Sequence, residues 1–536
     1  MQGHPPATVP GKAGTATATA GLLLYLLIGA LTFSDFLQSG IVTFQAATVM
    51  GSISASPEEY SMVATGYAAL AVTAIALQRW FVERLGWRLL MQCCAALYGI
   101  GALVCAHSGD LAGFAGGRLL MAAGSSAFFN ASRVLVNHIP PSPRRFVGIK
   151  FLASGLAWGV AAGPAVAALA IASGDWRWAF LGLVLPAMLI GILATIVLPK
   201  RAAAAALPAQ PQPLGLIVLM FGSFLLLHAL QRSGFDFFGD ASMLYAGGAL
   251  AVLALAAFVV LGFQGPKPLI GFGSFALKRY YIGLAIFTLA YLLLGGNNYM
   301  MSVLLQRGLS VPQESAGLFL AAGALGGVLT FIVLARLLPR WRGPGRYYFA
   351  GFSALWLLGS LLSRLSESAH PLHDVVPALM FNNVFVILVL ATTALHTFGE
   401  VQDDEAVFSH ANQVKNMLSQ FATAGGVAIA TLVMQWRSSH HYDHLASSLG
   451  ADNPALQPTI QSLVQFFSTS RGPEGALQLA LAHLGQQVAQ EATLMATLDY
   501  FAGISVFALV ALAMLLLGLA WRLAHAGSSA GPARGA

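Results

Sequence analysis

Charge is what this sequence has least of. Asp, Glu, Lys and Arg make up 9% of 536 residues, against about 25% in soluble domains. So few charges cannot clothe a water-facing surface, which excludes a soluble enzyme and a nucleic-acid reader. Cysteine is nearly absent: Cys93, Cys94 and Cys105 share one apolar run and offer neither a metal-ligand spacing nor a disulfide framework, which excludes a secreted disulfide scaffold. Catalytic signatures are missing too. No HExxH, GxSxG or GxGxxG stands in a usable context, and the PGKA near the start lacks phosphate-loop register, so no enzyme, metal or cofactor is expected. What abounds is apolar: 57% of residues and a mean hydropathy of +0.73, gathered in runs of about 20, the length that crosses a ~30 Å hydrocarbon core. These are the marks of an all-α polytopic membrane protein.

Pro, Gly and charge clusters divide the chain into fourteen apolar runs, near 21–42, 60–82, 89–106, 111–136, 146–171, 178–198, 214–230, 242–263, 280–305, 316–338, 347–362, 375–396, 407–434 and 500–521. An even count puts both termini on one side. Of the 27 Lys and Arg, eighteen fall in loops of that side, six on the other, and three (Arg118, Arg133 and Lys415) within spans. Cytoplasmic loops are enriched in Lys and Arg, so both termini are expected in the cytoplasm. The expected division is a disordered tail over 1–20, a six-helix half over 21–198, a linker with two extra spans over 199–279, a second six-helix half over 280–523 and a tail over 524–536. Parallel six-helix halves with a site between them near the midplane are a recurring transporter plan. One long loop, 437–498, lies outside and carries an amphipathic stretch, GALQLALAHLGQQVAQ, that predicts a helical appendage. Within it His440 and His444 are one helical turn apart, where a solvated cluster is the plainer reading than a metal site.

A carboxylate in hydrocarbon is costly and is retained only where something needs it. Nineteen of the 20 acidic residues fall in loops or at span ends; the exception is Asp35, ~21 Å along the first span. It is the candidate proton carrier, the alternative being a permanently paired Asp that only pins its helix. Arg118 lies at similar depth and is its candidate partner, or else is satisfied by helix carbonyls. Gln38, Gln45, Asn297, Asn298, Tyr299, Asn382, Asn383, His396 and Lys415 are candidate cavity residues, each also readable as a packing hydrogen-bonder. With one carboxylate facing Arg118 and Lys415, neutral or weakly acidic lipophiles suit the cavity better than dications. Gly155, Gly159 and Gly163, followed by Pro164, form a stripe on which another helix can lie close, with a bend at the proline.

The chain resembles the major facilitator superfamily over nearly its whole length, and within it the fourteen-span drug:proton antiporters of the EmrB/QacA type. The resemblance rests on G159-VAA-GP, similar to that family's antiporter motif, with Ala167 for the final glycine; on Arg118 in RLLMAAG; and on Asp35, similar to the family's first-span aspartate, with Gln38 one turn away. Glu83, Arg84, Gly86 and Arg88 occupy the family's cytoplasmic loop motif, with Arg79 for its first glycine and Glu83 for its aspartate. LQRSGFDFF, LLQRGLSVPQESAGL and RSSHH favour the EmrB branch. The resemblance implies proton-coupled efflux of lipophilic small molecules across a bacterial inner membrane by alternating access. The proton motive force would drive it, with Asp35 and Arg118 in coupling and residues 83–88 at a gate. It also implies an EmrA-like periplasmic adaptor docked on the outside loop and an outer-membrane channel. A dedicated exporter of one endogenous metabolite or siderophore would fit the same residues.

Overall fold

The computed structural model describes residues 12–200, 213–239, 241–264, 268–275, 277–337, 343–401, 403–448 and 456–528. Among these every regular element is helical, as lipid demands of a backbone that must satisfy its own hydrogen bonds. The helices are α1 (Lys12–Ser52), α2 (Pro57–His107), α3 (Leu111–Asn137), α4 (Pro143–Ala172), α5 (Arg177–Gly182), α6 (Val184–Val197), α7 (Pro213–Asp236), α8 (Ser242–Gln264), α9 (Lys278–Val303), α10 (Gln313–Leu337), α11 (Pro344–Leu362), α12 (Val376–Thr397), α13 (Glu405–Ser448), α14 (Leu456–Arg471) and α15 (Pro473–Ser528). Of the expected tails and linker, residues 1–11, 201–212 and 529–536 fall outside the described residues.

Local chemistry sets the ends. α2 opens on a capping box in which the Ser56 hydroxyl accepts from the Glu59 amide (3.2 Å) and the Glu59 carboxylate accepts from the Ser56 amide (2.8 Å). Asp110 caps α3 by accepting from the Gly113 amide at 2.9 Å. Pro143 and Pro344 open α4 and α11, where a missing N–H costs nothing. α2 is interrupted at Gly86, whose φ of 76° lies in the left-handed region.

Twelve helices among the described residues are long and apolar enough to span a membrane. The fourteen expected runs map onto these with two differences. The second and third lie in one helix on either side of the Gly86 break, and the eleventh, α11, falls short of the length-and-hydropathy measure. α1 is also longer than its expected run at both ends, beginning at Lys12.

α1 packs on α3, α4 and α6; α2 on α3 and α6; α9 on α12 and α13; α11 on α12 and α15. α10 crosses from α12 to α4, and α13 from α9 to α2 and α3. α7 and α8 pair at the periphery, with Met243, Leu253 and Phe263 of α8 facing outward. The long loop is a helical hairpin: α13 runs on past its apolar stretch, α14 follows, and the amphipathic segment is continuous with α15. Asp499 fastens its base, accepting from Arg437 Nη2 at 2.6 Å and lying 2.6 Å from His441 Nε2. That engages His441 structurally rather than in a histidine cluster.

Candidate functional site: a basic, aromatic central cavity

Between α3, α4, α9, α10, α12 and α13 lies a cavity of about 1430 Å³, mouth included. Its walls reach the end of the bundle that carries the basic loops, through Asn137, Arg145 and Phe146 at the α3–α4 turn and Leu395, Phe398 and Phe408 at the α12–α13 turn. At the opposite end α10 closes on α1 and α4. Gln313 donates to the Phe44 carbonyl (3.0 Å) and accepts from Thr48 Oγ1 (2.9 Å), and Gly317 lies so close that a Cβ there would meet Ala168, Phe44 and Pro164 within 2.8 Å.

The lining is apolar and aromatic, with Phe129, Phe287, Tyr291, Phe331 and Phe398, and it carries four cations: Arg133, Arg145, Lys150 and Lys415. No Asp or Glu among the described residues lines it. Lys415 is 3% exposed, its ammonium 4.5 Å from the Phe129 ring centre, 5.5 Å from Phe287 and 5.9 Å from Tyr291. Ring faces attract a cation through their quadrupole but do not neutralise it. Arg133 stacks over Phe398 at 5.0 Å, with one nitrogen 3.4 Å from the Ala394 carbonyl.

Asp35 sits on α1, half-buried, one turn before Gln38, with Lys415 as the basic group whose field reaches it. The expected direct partnership with Arg118 is not formed: no ion pair joins the two. Gln38 intervenes, its Oε1 accepting from Arg118 Nη1 at 3.4 Å while its amide nitrogen donates to Ser125 at 2.8 Å. Arg118 stacks on Tyr67 at 4.0 Å. Depth along two helices matched Asp35 to Arg118, but azimuth gives the guanidinium to Gln38 and Tyr67.

The glycine stripe of α4 lies on α1 along the stretch that carries Asp35. A Cβ on Gly155 would strike the Gly29 carbonyl; on Gly159 it would lie 2.7 Å from the Phe33 carbonyl, and on Gly163 2.7 Å from the Gly40 Cα. Gln45 is fixed to α4 by donating to the Ala167 carbonyl at 3.2 Å. In the loop motif Glu83 pairs with Arg79 (2.8 Å), Arg84 covers Trp80 (4.2 Å), and Arg88 donates to the Leu198 carbonyl beyond α6 (2.7 Å).

Of the other expected cavity residues, only Lys415 lines the large cavity. Asn297 and Asn382 bond each other at 2.9 Å, Tyr500 donates to Asn297 at 3.0 Å, and Asn382 reaches Asn298 at 3.4 Å, so these amides tie α9, α12 and α15 together. Asn383 donates to the Gly323 carbonyl of α10. Tyr299 packs against the core, and His396 borders a small recess with Lys278, Arg279 and Glu400 at the basic end. Sequence reasoning missed the roles of Arg133, Arg145 and Lys150 in the lining; Arg133 alone carried a signal, as one of three cations within spans. It also missed an amide cluster joining α13 to α2 and α3. Asn412 and Asn416 donate to Asn130 Oδ1 (2.6 and 3.0 Å), and Gln413 donates to the Ile75 and Ala76 carbonyls (2.8 and 3.1 Å).

Residues 27–431 match the profile of the Major Facilitator Superfamily. The chain belongs to this family. The transporter of Bacillus subtilis named "Uncharacterized MFS-type transporter YhcA" is 21% identical over 94% of this chain and 93% of its own. The Escherichia coli protein named "Putative multidrug resistance protein MdtD" is 24% identical over 76% of this chain and 85% of its own. Among solved structures of the superfamily fold, a bacterial homologue of the human lysosomal transporter Spinster superposes with a TM-score of 0.53 at 13% identity, covering 94% of this chain and 97% of that one. That likeness concerns the fold.

Proposed function

We propose that this superfamily member exports lipophilic small molecules across a bacterial inner membrane in exchange for protons, as a fourteen-span pump with both termini in the cytoplasm. The observation that carries the reading is the pairing of one large aromatic cavity with a single intramembrane carboxylate: the cavity reaches the basic-loop end and is sealed at the other, and Asp35 stands within the field of its Lys415. In this reading the basic end is cytoplasmic. The cavity loads there, the halves 21–198 and 280–523 rock about it, and Asp35 takes a proton from outside before the return. Arg118 positions the coupling site through Gln38. Residues 83–88 close the cytoplasmic side in the alternate state, and the 437–498 hairpin docks an EmrA-like adaptor leading to an outer-membrane channel. The relative named for multidrug resistance supports a lipophilic cargo.

The test is dye or drug efflux in a pump-deficient bacterium, comparing wild type with Asp35→Asn at matched membrane abundance and with a protonophore. Wild type is expected to lower accumulation in a protonophore-sensitive way, and the variant to lose at least about tenfold in rate. Equal export by both would remove Asp35 from coupling. The same fold and carboxylate would serve an exporter dedicated to one endogenous metabolite or siderophore, which substrate breadth in this assay separates.

A further inference from the structure

We infer that the cavity selects organic anions, holding an acidic head group between Arg133 and Lys415 and an aromatic or aliphatic body against Phe129, Phe287 and Tyr291. The inference deepens the export reading by naming the cargo's charge, and it rests on that reading for direction only.

The argument is one of unmatched charge. Four basic side chains, the Arg133 guanidinium among them, line the cavity, and no carboxylate among the described residues does. A guanidinium stays charged in a protein, and a charge removed from water without a partner costs several kcal/mol. Arg133 has one carbonyl at the long distance of 3.4 Å and a ring face, which leaves most of its five donors unused. Lys415, buried among three rings, forms no hydrogen bond or ion pair among the described residues. Asp35 influences it through space without joining the lining. Arg145 and Lys150 stand nearer the mouth, where Arg145 is already engaged with Asn137 and Lys150 lies over Phe146 at 4.8 Å. Asp403 of the α12–α13 turn acts on Arg145 from outside the lining, so the mouth is mixed in charge and the unmatched positive charge lies deeper, at Arg133. The counter-charge missing at Arg133, and the hydrogen-bonding partner missing at Lys415, are what an incoming carboxylate, sulfonate or phosphate would supply, and the rings around them would cover an apolar body.

The experiment uses three probes that share a fluorophore and differ in charge: dansylglycine (anionic), dansylamide (neutral) and dansylcadaverine (cationic). Binding is measured by fluorescence titration to the full-length protein in nanodiscs, with no proton gradient. Hydrogen bonds to charged groups are stronger than neutral ones, so dansylglycine is expected to bind at least about tenfold more tightly than dansylamide. Arg133→Gln and Lys415→Gln should each weaken dansylglycine by about tenfold and leave dansylamide within about twofold, while Lys415→Arg, which keeps the charge, restores most of the loss and separates charge from folding. Equal binding of the three probes, tighter binding of dansylcadaverine, no measurable binding of dansylglycine, or a loss in the Gln variants shared equally by dansylamide would each overturn the inference. Its fate is separable from that of the export reading: anion-selective binding without protonophore-sensitive efflux leaves the inference standing alone, and proton-driven efflux of dansylcadaverine leaves the export reading standing alone.

Discussion

Arg118 is enclosed by a ring face, an amide oxygen and, at 3.7 Å, the Met121 sulfur, and none of these neutralises it. Its hold on Gln38 depends on a planar fork that can lie flat on Tyr67 and still donate sideways, which a lysine ammonium cannot reproduce. Arg118→Lys is therefore expected to cut the initial export rate by about tenfold at unchanged membrane abundance, measured by efflux from preloaded cells. A rate equal to wild type would show that charge alone suffices at this position. The residues of this region were legible in the sequence because charge in a span is rare enough to be noticed one residue at a time: Asp35, Arg118, Arg133 and Lys415 all stand out by that rule. Which of them meet was not legible. Contact depends on where around its axis each helix faces its neighbour, and a one-turn offset gave Arg118 to Gln38 instead of Asp35. The uncharged candidates fared worse for a related reason. Asn297, Asn382 and Tyr500 satisfy one another, and nothing in a list of polar residues distinguishes an amide that bonds a neighbouring helix from one that faces a cavity.

At the scale of helices, the same device recurs, and two instances bear on the charged groups. α4 approaches α1 through Gly155, Gly159 and Gly163. α13 approaches α9 through Gly426, whose Cβ would strike the Leu292 carbonyl, and a Cβ on Gly295 of α9 would strike the Thr423 carbonyl. Only the first pair was visible as a spaced stripe; in the second, Gly295, Gly296, Gly425 and Gly426 come as doublets without a four-residue repeat. Because α1 carries Asp35 and α13 carries Lys415, both interfaces fix the separation of the charged groups. Gly159→Val would press a branched side chain onto the Phe33 carbonyl and the Phe36 Cβ, and overpacking of this kind costs about 1–3 kcal/mol. We expect a lower thermal midpoint in detergent and a loss of transport, whereas Gly425→Ala, where a Cβ meets nothing within 4 Å, should leave both unchanged; equal effects of the two would remove the close-packing argument. Helix ends are set in two ways. Ser56, Asp110 and Pro143 fix the starts of α2, α3 and α4 locally, while the extension of α13 and α15 into a hairpin beyond the apolar runs depends on each helix finding the other, through Asp499 with Arg437 and His441.

The molecule as a whole is crossed by two contacts of different character. α13 meets α2 and α3 through amides, and three of these leave an acceptor unused: the side-chain oxygens of Asn412, Gln413 and Asn416 are buried without partners. Those groups would gain hydrogen bonds if water entered, so this contact is shallow as well as specific. α10 meets α1 and α4 through Gln313 and the bare backbone of Gly317. Gly317→Ala would set a methyl against Ala168, Phe44 and Pro164 and is expected to shift the population away from the arrangement described here. A Thr48→Cys reporter, in a background lacking Cys93, Cys94 and Cys105, should then react several-fold faster with an externally added maleimide; an unchanged rate would show that the seal does not rest on this glycine. Fold class was legible here because hydropathy and charge report on the membrane, whereas the superfamily was legible only through its resemblance at G159-VAA-GP, Arg118 and Asp35. The seal was not, since glutamine and glycine are ordinary residues that acquire this part only through the helix opposite.

No residue of the α10 seal lines the cavity, so the two can change independently. A population of cells under chemical stress could alter how fast this protein cycles through substitutions around Gly317 without changing which molecules it recognises. It could alter recognition through the cavity wall without changing the tempo. On the proposed export reading, variants selected for faster clearance should therefore fall into two groups, one broadening or narrowing the spectrum and the other scaling every compound alike.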